Sequence, residues 1–305
     1  MPSRALKARA DLLTRLRHFF AQRGLTEVST PLLCSYPNLE AHIDPVPAGS
    51  NRWLPSSPEY AMKRLLAAGS GSIYQICPAF RLGELGAKHQ PEFTLLEFYL
   101  VAQDHWGLMD FVDQLLQEVL GWPAAQRIDY AEVFRDTLGI NALALEMDAF
   151  AKALKSRQMA VPEFLMTANT TQTDRLDYLF STLIEPDLGT DRPVLLTGYP
   201  PFMAALARID QGRAARFEVF YRGLELGNGF WELKDPAEQR ARFEEANRQR
   251  VAAGKSAYGV DERFLACLDQ LPDCAGIALG LDRLLMLWLG VDSIDQVLTL
   301  PWDQI

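Results

Sequence analysis

The chain has 305 residues, of which 49% are hydrophobic and 23% charged, a length that supports one large hydrophobic core or two modest ones. The net charge of -9 and the lack of a Lys/Arg-rich run disfavour broad binding to nucleic acid, which depends on neutralising phosphates. Four cysteines without C-x-x-C spacing disfavour a zinc site or a disulfide framework, and the lack of a signal peptide or a long apolar run predicts a cytoplasmic protein.

The N-terminal quarter of the chain predicts two helices with a long loop between them. Apolar residues at helical spacing indicate the first helix, a composition rich in Pro, Ser, Asn and Gly indicates the loop, and a Ser-Pro-Glu sequence indicates the start of the second helix. The predicted elements are a helix over residues 4–23 that stops at Gly24, a loop over residues 35–55, and a helix from Pro58 to Gly69 with Ser57 as its N-cap.

Residues 73–100 predict a strand, a long polar loop and a returning strand. Because successive side chains of a strand point to opposite faces, Phe93, Glu97 and Tyr99 share one face of the second strand. An aromatic ring, a carboxylate and a phenol on one face predict the floor of a binding site. Arg81 begins the loop, and its guanidinium suits a phosphate oxygen, although an Arg that forms a surface ion pair is the simpler interpretation.

The middle of the chain predicts mostly helices, followed by a strand and a hairpin. The predicted elements are a core helix over residues 107–120, helices separated by loops over residues 121–193 (clearest at 148–155 and 174–184), and a buried strand at Val194–Thr197. A hairpin over residues 216–226 is predicted to turn at Arg222-Gly223, which would place Glu218 and Glu225 diagonally on one face. Two such carboxylates suit magnesium beside phosphate oxygens, although a solvated acidic face would look the same.

The C-terminal part predicts a charged helix and then a strand that runs into an apolar helix. The charged helix covers residues 235–253, and its charges are expected to face solvent. The Gly-Lys-Ser sequence at residues 254–256 lacks the first glycine of a phosphate-binding loop and follows a helix, so that motif is rejected. Residues 276–287 predict the strand and helix, with Arg283 in the first helical turn and glycines that permit close approach to the backbone.

Several ordered motifs resemble those of the class II aminoacyl-tRNA synthetases. The first helix with Thr30-Pro31 resembles motif one, and the hairpin at residues 80–93 resembles motif two. The Gly-x-Ala-Leu-Gly-x-Asp-Arg sequence at residues 276–283 resembles motif three. Residues 57–65 resemble the amino-acid-binding helix, and residues 225–233 resemble the corresponding segment of the lysine subclass. The resemblance extends over nearly the whole chain. It is greatest to the short paralogues of lysyl-tRNA synthetase that aminoacylate translation elongation factor P.

This resemblance implies an α/β (α+β) fold, a class II catalytic domain whose antiparallel β-sheet is flanked by helices. A single domain is expected over residues 1–305, with residues 121–193 as an insertion between motifs two and three, and a homodimer formed through the first helix. The implied reaction uses ATP and Mg²⁺ to activate (R)-β-lysine, or lysine, as an aminoacyl-adenylate. The acyl group would then pass to the ε-amino group of a lysine on elongation factor P.

The resemblance also assigns roles to individual residues. The implied catalytic residues are Arg81, for the α-phosphate and the amino acid carboxylate, and Arg283, for the γ-phosphate; the implied metal ligands are Glu218 and Glu225. The implied ATP contacts are Arg81, Leu82, Gly83, Glu84, Gln90, Phe93, Glu225, Leu226, Gly280 and Arg283. The implied amino acid contacts are Ser57, Pro58, Glu59, Glu97, Tyr99, Asn228, Glu232 and Ala278, where Glu232 and Tyr99 receive the side-chain ammonium and Glu59 and Glu97 the α or β amino group.

Three positions depart from the pattern of the lysyl-tRNA synthetases. Glu84 lies one position later than the usual acid of the motif-two loop, so Glu84 or the backbone of Leu82 and Gly83 would contact the adenine amino group. Gln90 stands where Asn is usual. Ala278 replaces a Gly, as in the elongation factor P ligases, which is consistent with a preference for (R)-β-lysine, although one methyl group decides little.

Three alternatives stay open. The first is a truncated lysyl-tRNA synthetase, which the acidic charge disfavours, as does a motif-one helix that starts where such enzymes carry an N-terminal anticodon-binding barrel. The second is an amide synthetase that acts on a small metabolite. The third is a non-enzymatic regulator, which would be expected to have lost the arginines and acids named above.

Overall fold

The computed structural model describes residues 3–167 and 170–305 and divides the chain into two compact units. The first unit comprises Met1–Gly121 and Trp231–Ile305, and the second comprises Trp122–Phe230. The predicted insertion at residues 121–193 falls within the second unit apart from its first residue, and the single-domain assignment stays a prediction. No helix among the described residues is long and apolar enough to cross a membrane.

The described helices and strands are interspersed along the chain in short runs of each, which agrees with the predicted α/β (α+β) class. The helices are α1 Ser3–Gln22, α2 Glu59–Ala67, α3 His105–Leu120, α4 Tyr130–Leu138, α5 Met147–Ser156, α6 Gln172–Leu183, α7 Pro236–Ala252, α8 Glu262–Cys267 and α9 Leu281–Leu289. The strands are β1 Thr26–Glu27, β2 Val46–Pro47, β3 Trp53–Leu54, β4 Ile73–Phe80, β5 Glu92–Val101, β6 Gln126–Asp129, β7 Val194–Thr197, β8 Ile209–Asp210, β9 Arg213–Ala214, β10 Arg216–Tyr221, β11 Leu224–Trp231 and β12 Cys274–Gly280.

In the first unit the strands β1, β4, β5 and β12 lie side by side in that order. β4 and β12 both pair with β5 in the antiparallel sense, and β1 pairs with β4 in the parallel sense. The register places Glu97 of β5 opposite Gln75 of β4 and opposite Ala278 of β12. Side chains that face each other across an antiparallel ladder project from the same face, so this register determines which groups surround Glu97.

Helix α1 buries its apolar stripe within the first unit. Leu12, Leu16 and Phe20 have no exposed surface. The Phe20 ring stacks on Tyr74 with 4.3 Å between centroids and lies 5.1 Å from the Phe98 ring. The helical spacing of these residues therefore serves packing on the helix's own unit, and homodimerisation stays a prediction.

Helix α1 is also joined to the start of α9 by a buried ion pair. Arg9 Nη1 lies 2.5 Å from Asp282 Oδ1, and Arg9 Nη2 donates to Thr94 Oγ1 at 2.6 Å. The second carboxylate oxygen of Asp282 accepts from the Thr94 amide at 2.6 Å, and the Asp282 side chain is only 2% exposed. The Asp282 carboxylate thus joins α1 and β5 to the first turn of α9, directly before Arg283.

The second unit contains β11, β10, β7 and β6, which neighbour one another in that order. Its core is apolar and is formed by α4, α5, α6 and the sheet, with Phe134, Phe150 and Leu176 fully buried. The predicted hairpin turn is confirmed, because Arg222 and Gly223 separate β10 from β11 with φ values of 53° and 66°. Two successive residues in the left-handed region are typical of a type I′ turn.

Three predictions about local structure were wrong. α2 begins one residue later than predicted: Pro58 occupies the N-cap position, and Ser57 Oγ accepts a hydrogen bond from the Glu59 amide at 3.0 Å. The predicted loop at residues 35–55 contains the short strands β2 and β3, and the region predicted as helices and loops contains β6. The sequence of β6 has no alternating pattern, and its parallel pairing with β7 is a tertiary contact.

We expect Asp282→Ala to lower the free energy of unfolding by about 3 kcal/mol, because it removes a buried ion-pair partner and leaves the Thr94 amide without its acceptor. Urea denaturation measures this change. Asp11→Ala is the control, since Asp11 pairs with Arg15 on the surface of α1, where both side chains are about half exposed. Its expected effect is below about 0.5 kcal/mol. Equal effects of the two substitutions would contradict the role assigned to Asp282.

Candidate active site

The site of the first unit is organised around Glu97, which is 2% exposed. Its Oε1 accepts from the Tyr99 hydroxyl at 2.7 Å, and its Oε2 accepts from Ser57 Oγ at 2.7 Å. Burial, followed by the nearby charge of Glu59, raises the pKa of Glu97 to about 8. The structure therefore brings together four predicted amino acid contacts, and it surrounds one carboxyl group so that its protonated form is favoured at neutral pH.

A lysine that the sequence analysis did not assign lies between two of the predicted acids. Lys63 Nζ lies 2.5 Å from Glu59 Oε1 and 2.5 Å from Glu232 Oε2, and the side chains of Lys63 and Glu232 are each 1% exposed. Burial alone would lower the pKa of Lys63, but Glu232 and Glu59 raise it above its usual value. The spacing of Glu59 and Lys63, four residues apart on α2, was the available sequence signal.

Together these groups form an acid–lysine cluster, which we define as Glu59, Lys63, Glu97 and Glu232. With all four groups ionised, the cluster has a net charge of -2. The side chains of Glu59, Lys63 and Glu232 are at most 12% exposed, and the whole of Glu97 is 2% exposed. A buried charge is tolerated only when it is paired. The cluster therefore suits a small ligand with two positive charges, whose binding would displace the proton of Glu97.

Gly276 of β12 leaves room for the phenol of Tyr99. The two residues are partners in the β5–β12 ladder, and a Cβ at position 276 would lie 2.2 Å from a carbon of the Tyr99 ring and 3.0 Å from Glu232 Oε1. Any side chain there would displace Tyr99 or Glu232. This requirement for glycine agrees with the prediction that Gly276 lets another group approach the backbone closely, and here that group is the Tyr99 ring. Ala278, two residues later, faces Glu97 across the same ladder.

Gln75 is a second residue that the sequence analysis missed. It lies opposite Glu97 on β4 and is 2% exposed, and its Oε1 atom is buried without a hydrogen-bond partner. A buried acceptor without a donor is costly, so it points to a position where a donor of a ligand fits. No sequence pattern distinguishes such a Gln from an ordinary strand residue, because the signal lies in the ladder register.

Arg81 lies at the start of the loop between β4 and β5, residues 81–91, which we call the hairpin loop. Its guanidinium is centred 5.0 Å from the Phe93 ring and lies 3.7 Å from Glu84 Oε1. Its Nε atom is buried and has no hydrogen-bond acceptor. A buried guanidinium donor without an acceptor fits an anionic oxygen, so the position of Arg81 is compatible with the predicted phosphate and carboxylate contact.

Arg283 meets the other side of the hairpin loop. Its Nε donates to the Lys88 carbonyl at 3.3 Å, and its Nη2 lies 2.6 Å from His89 Nε2. Burial, followed by the charge of Arg283, lowers the pKa of His89, so the neutral imidazole accepts from the guanidinium. Arg81, Lys88 and Arg283 thus bring three cationic side chains to one loop, which is the charge that a polyphosphate requires.

The other predicted ATP contacts of the first unit are placed as follows. Gln90 is buried, and its amide donates to Asp295 Oδ1 at 2.7 Å and accepts from the Trp302 amide at 3.3 Å. Its side chain therefore holds the C-terminal segment, and a contact with ATP stays a prediction. Leu82 is 54% exposed, Gly83 has a φ of 81°, and Gly280 forms the N-cap of α9.

The second unit contains the predicted metal ligands. A register shift in the β10–β11 ladder places Asn228 opposite Glu218, while Glu225 faces Phe220. Glu218 accepts from Tyr199 Oη at 2.5 Å, from Asn228 Nδ2 at 3.3 Å and from Arg216. Two carboxylate oxygens offer about four acceptor positions, so these three donors leave room for a further contact, and the metal role of Glu218 stays a prediction. Residues 3–167 and 170–305 contain no group of three or more His, Cys, Asp or Glu that could hold a metal ion.

The other predicted contacts of this unit lie on β11. Leu226 is 1% exposed, and Asn228 also accepts from Arg216 Nε at 3.2 Å. The side-chain amide of Asn228 therefore contacts both members of the Arg216–Glu218 ion pair. The roles predicted for Glu225, Leu226 and Asn228 stay predictions.

Comparisons of the sequence with known proteins give a family match and several relatives. The family model for class II tRNA synthetases (D, K and N) matches residues 2–304. An elongation factor P–(R)-β-lysine ligase of Vibrio parahaemolyticus is 44% identical over 313 residues, which cover 97% of this chain and 95% of that protein. The proteins of the same name from Mannheimia succiniciproducens and Haemophilus influenzae are 42% and 41% identical, and each match covers 97% of this chain and 94% of the relative.

The pKa of Glu97 predicts a pH dependence of stability. An unfolded Glu releases its proton near pH 4.3, whereas folded Glu97 keeps it until about pH 8. Between these values the folded state binds the extra proton, so the free energy of unfolding falls as pH rises, by up to about 1.4 kcal/mol per pH unit. Glu97→Gln cannot ionise and is expected to lose this slope.

Urea denaturation at pH 5, 6, 7 and 8 tests this expectation, and groups that titrate elsewhere contribute alike to both proteins. Glu92→Gln is the control, because Glu92 lies on the same strand with an exposed side chain. Its slope should equal that of the unsubstituted chain. An unchanged slope in Glu97→Gln would show that the carboxyl of Glu97 is ionised in the folded state across this range.

Proposed function

The chain belongs to the class II aminoacyl-tRNA synthetase family that contains the aspartate, lysine and asparagine enzymes, and from this membership we propose that it is an ATP-dependent amino acid–protein ligase. The proposed substrate is (R)-β-lysine or lysine, and the proposed acceptor is a lysine of translation elongation factor P. The observation that carries the proposal is the buried acid–lysine cluster beside the cationic hairpin loop. One site thus offers anions to a diamino acid and cations to a nucleotide.

Recognition of the amino acid follows from the charges of the cluster. A diamino acid brings two ammonium groups, which match the net charge of -2 that the cluster has when its three acids and Lys63 are all ionised. Glu232 and Tyr99 would receive the side-chain ammonium, and Glu59 with Glu97 the α or β amino group. A monoamino acid would leave a buried carboxylate without a partner, which disfavours its binding.

Activation needs positioning and charge neutralisation more than a general base. The substrate carboxylate attacks the α-phosphorus of ATP, the bond to the β-phosphate oxygen breaks, and pyrophosphate leaves. Arg81, whose Nε has no acceptor, would hold the α-phosphate and the carboxylate. Arg283 would stabilise the γ-phosphate. Such guanidinium contacts strengthen as charge develops in the transition state.

Transfer completes the proposed reaction. The neutral ε-amino group of the acceptor lysine attacks the carbonyl carbon of the adenylate, an amide bond forms, and AMP leaves as its bond to the acyl carbon breaks. The attacking nitrogen loses one proton to water. The names of the relatives support elongation factor P as the acceptor.

We also propose Mg²⁺ as a cofactor, a homodimer and a cytoplasmic location, and these three features are supported only by membership of the family. The nucleotide would carry Mg²⁺, which Glu218 and Glu225 would hold, and the metal would neutralise charge on the phosphate oxygens. The acidic net charge of -9 supports a protein acceptor over tRNA, because tRNA binding depends on neutralising phosphates.

The function is tested by ATP–pyrophosphate exchange with (R)-β-lysine, α-lysine and the other amino acids. Purified elongation factor P and tRNA are then incubated with the enzyme and analysed by intact mass. The proposal expects exchange that is best with (R)-β-lysine and a mass gain on the protein alone. Charging of tRNA alone would identify a minimal synthetase, and a lack of exchange with every amino acid would refute a ligase of this kind.

Glu232→Gln is expected to lower the rate of exchange at subsaturating amino acid by at least about 100-fold, because a neutral amide cannot compensate the buried ammonium groups. Glu59 still pairs with Lys63, so the fold should persist, which thermal unfolding checks. Glu262→Gln is the control, since Glu262 pairs with Arg240 on the surface and is 64% exposed. Near-normal exchange by Glu232→Gln would refute the role of this carboxylate.

A further inference from the structure

Helix α7 carries one charged side chain that does not face solvent, contrary to the sequence prediction. Arg250 is 1% exposed, and its guanidinium donates to backbone and side-chain oxygens of two other segments. The acceptors are the carbonyls of Glu40 at 3.1 Å, Ile43 at 2.9 Å and Ser256 at 2.8 Å, and Asp44 Oδ1 at 2.7 Å. A buried guanidinium whose three nitrogens all donate holds the backbone that supplies the acceptors.

The rejected Gly-Lys-Ser motif contributes a second cation to the same segment, residues 40–44. Lys255 Nζ donates to Asp44 Oδ2 at 2.9 Å and to the His42 carbonyl at 3.2 Å. Asp44 therefore binds Lys255 with one oxygen and Arg250 with the other. The hydrogen bond from Lys255, and then that from Arg250, lower the pKa of Asp44 despite some burial. The segment itself is not part of a helix or a strand.

Residues 40–44 in turn hold the start of the hairpin loop. Three consecutive amides, from Phe80 to Leu82, donate to carbonyls of three different segments, and this fixes the backbone before, at and after Arg81. The bonds run from Phe80 to Pro55 at 3.0 Å, from Arg81 to Pro91 at 2.9 Å, and from Leu82 to Asp44 at 2.8 Å. The third bond depends on where Arg250 and Lys255 place Asp44.

We propose that Arg250 and Lys255 are positioning residues for Arg81, which act through Asp44 and the Leu82 amide. Neither side chain would touch a substrate. They fix residues 40–44, Asp44 fixes Leu82, and Leu82 sets the direction in which the Arg81 side chain leaves the backbone. The assignment of ATP as the ligand of Arg81 rests on the proposed function, whereas the positioning chain rests on the contacts alone.

Lys255→Met is the principal test, because Lys255 is 34% exposed and its removal leaves every contact of Arg250 in place. Arg250→Gln removes the stronger contacts, but it leaves buried carbonyls without donors and lowers stability more. Arg248→Gln is the matched control, since Arg248 lies on the same helix, is 66% exposed and pairs with Glu245.

Steady-state ATP–pyrophosphate exchange gives the functional readout. Lys255→Met is expected to raise the KM for ATP and the KM for the amino acid, each roughly tenfold, because Arg81 would hold both the α-phosphate and the substrate carboxylate, and misplacing a binding group by a fraction of an ångström weakens its contacts. Arg250→Gln should have a larger effect of the same kind. A purely structural role would lower the thermal unfolding temperature and leave both KM values unchanged, and that result would overturn the proposal.

Hydrogen–deuterium exchange of the Leu82 amide separates this inference from the proposed function. Faster exchange at Leu82 in Lys255→Met and Arg250→Gln, but not in Arg248→Gln, would support the positioning chain even if no amino acid were activated. Unchanged exchange at Leu82 in both variants would overturn it, whatever the kinetic result.

Discussion

The need to compensate buried charge governs the arrangement of the first unit. Glu97, Glu232 and Lys63 are almost completely withdrawn from water, and an isolated charge in such a place would cost several kcal/mol. The structure meets this cost by pairing Lys63 with two acids and by raising the pKa of Glu97, whose oxygens accept from Tyr99 and Ser57. The pocket is therefore one charge-balanced network, in which each member depends on the others.

In the proposed function, the same network would link specificity to stability. Burial raises the pKa of Glu97, which reduces the excess negative charge of the cluster, and a dicationic ligand would supply the missing positive charge. The pocket could then discriminate between lysine-like ligands and others without a conformational change. The glycine at position 276 completes the arrangement, since it lets the Tyr99 ring lie against the backbone of β12.

The hairpin loop follows a different principle, in which backbone hydrogen bonds position a charged side chain. Arg81 has two neighbours in sequence whose amides are bound by separate segments, and its own amide is bound by Pro91. Asp44 and Arg250, which are far apart in the chain, contribute to this anchoring of the backbone around Arg81. Asp282 has a comparable place beside Arg283, because it joins α1 and β5 to the first turn of α9. Both predicted catalytic arginines therefore lie next to anchored backbone.

Local periodicity and motifs whose residues are close in the chain were enough to identify the family, the antiparallel strands around residues 73–100 and the strand–helix unit that carries Arg283. They also named Glu59, Glu97, Tyr99 and Glu232, which the structure brings to one site, although their roles stay predictions. The folded chain was needed to see that Lys63 joins Glu59 to Glu232, that Gln75 faces Glu97, that Arg250 is buried, and that donors surround Glu218. These contacts depend on ladder register and on the burial of charges distant in sequence, which local residue patterns do not encode.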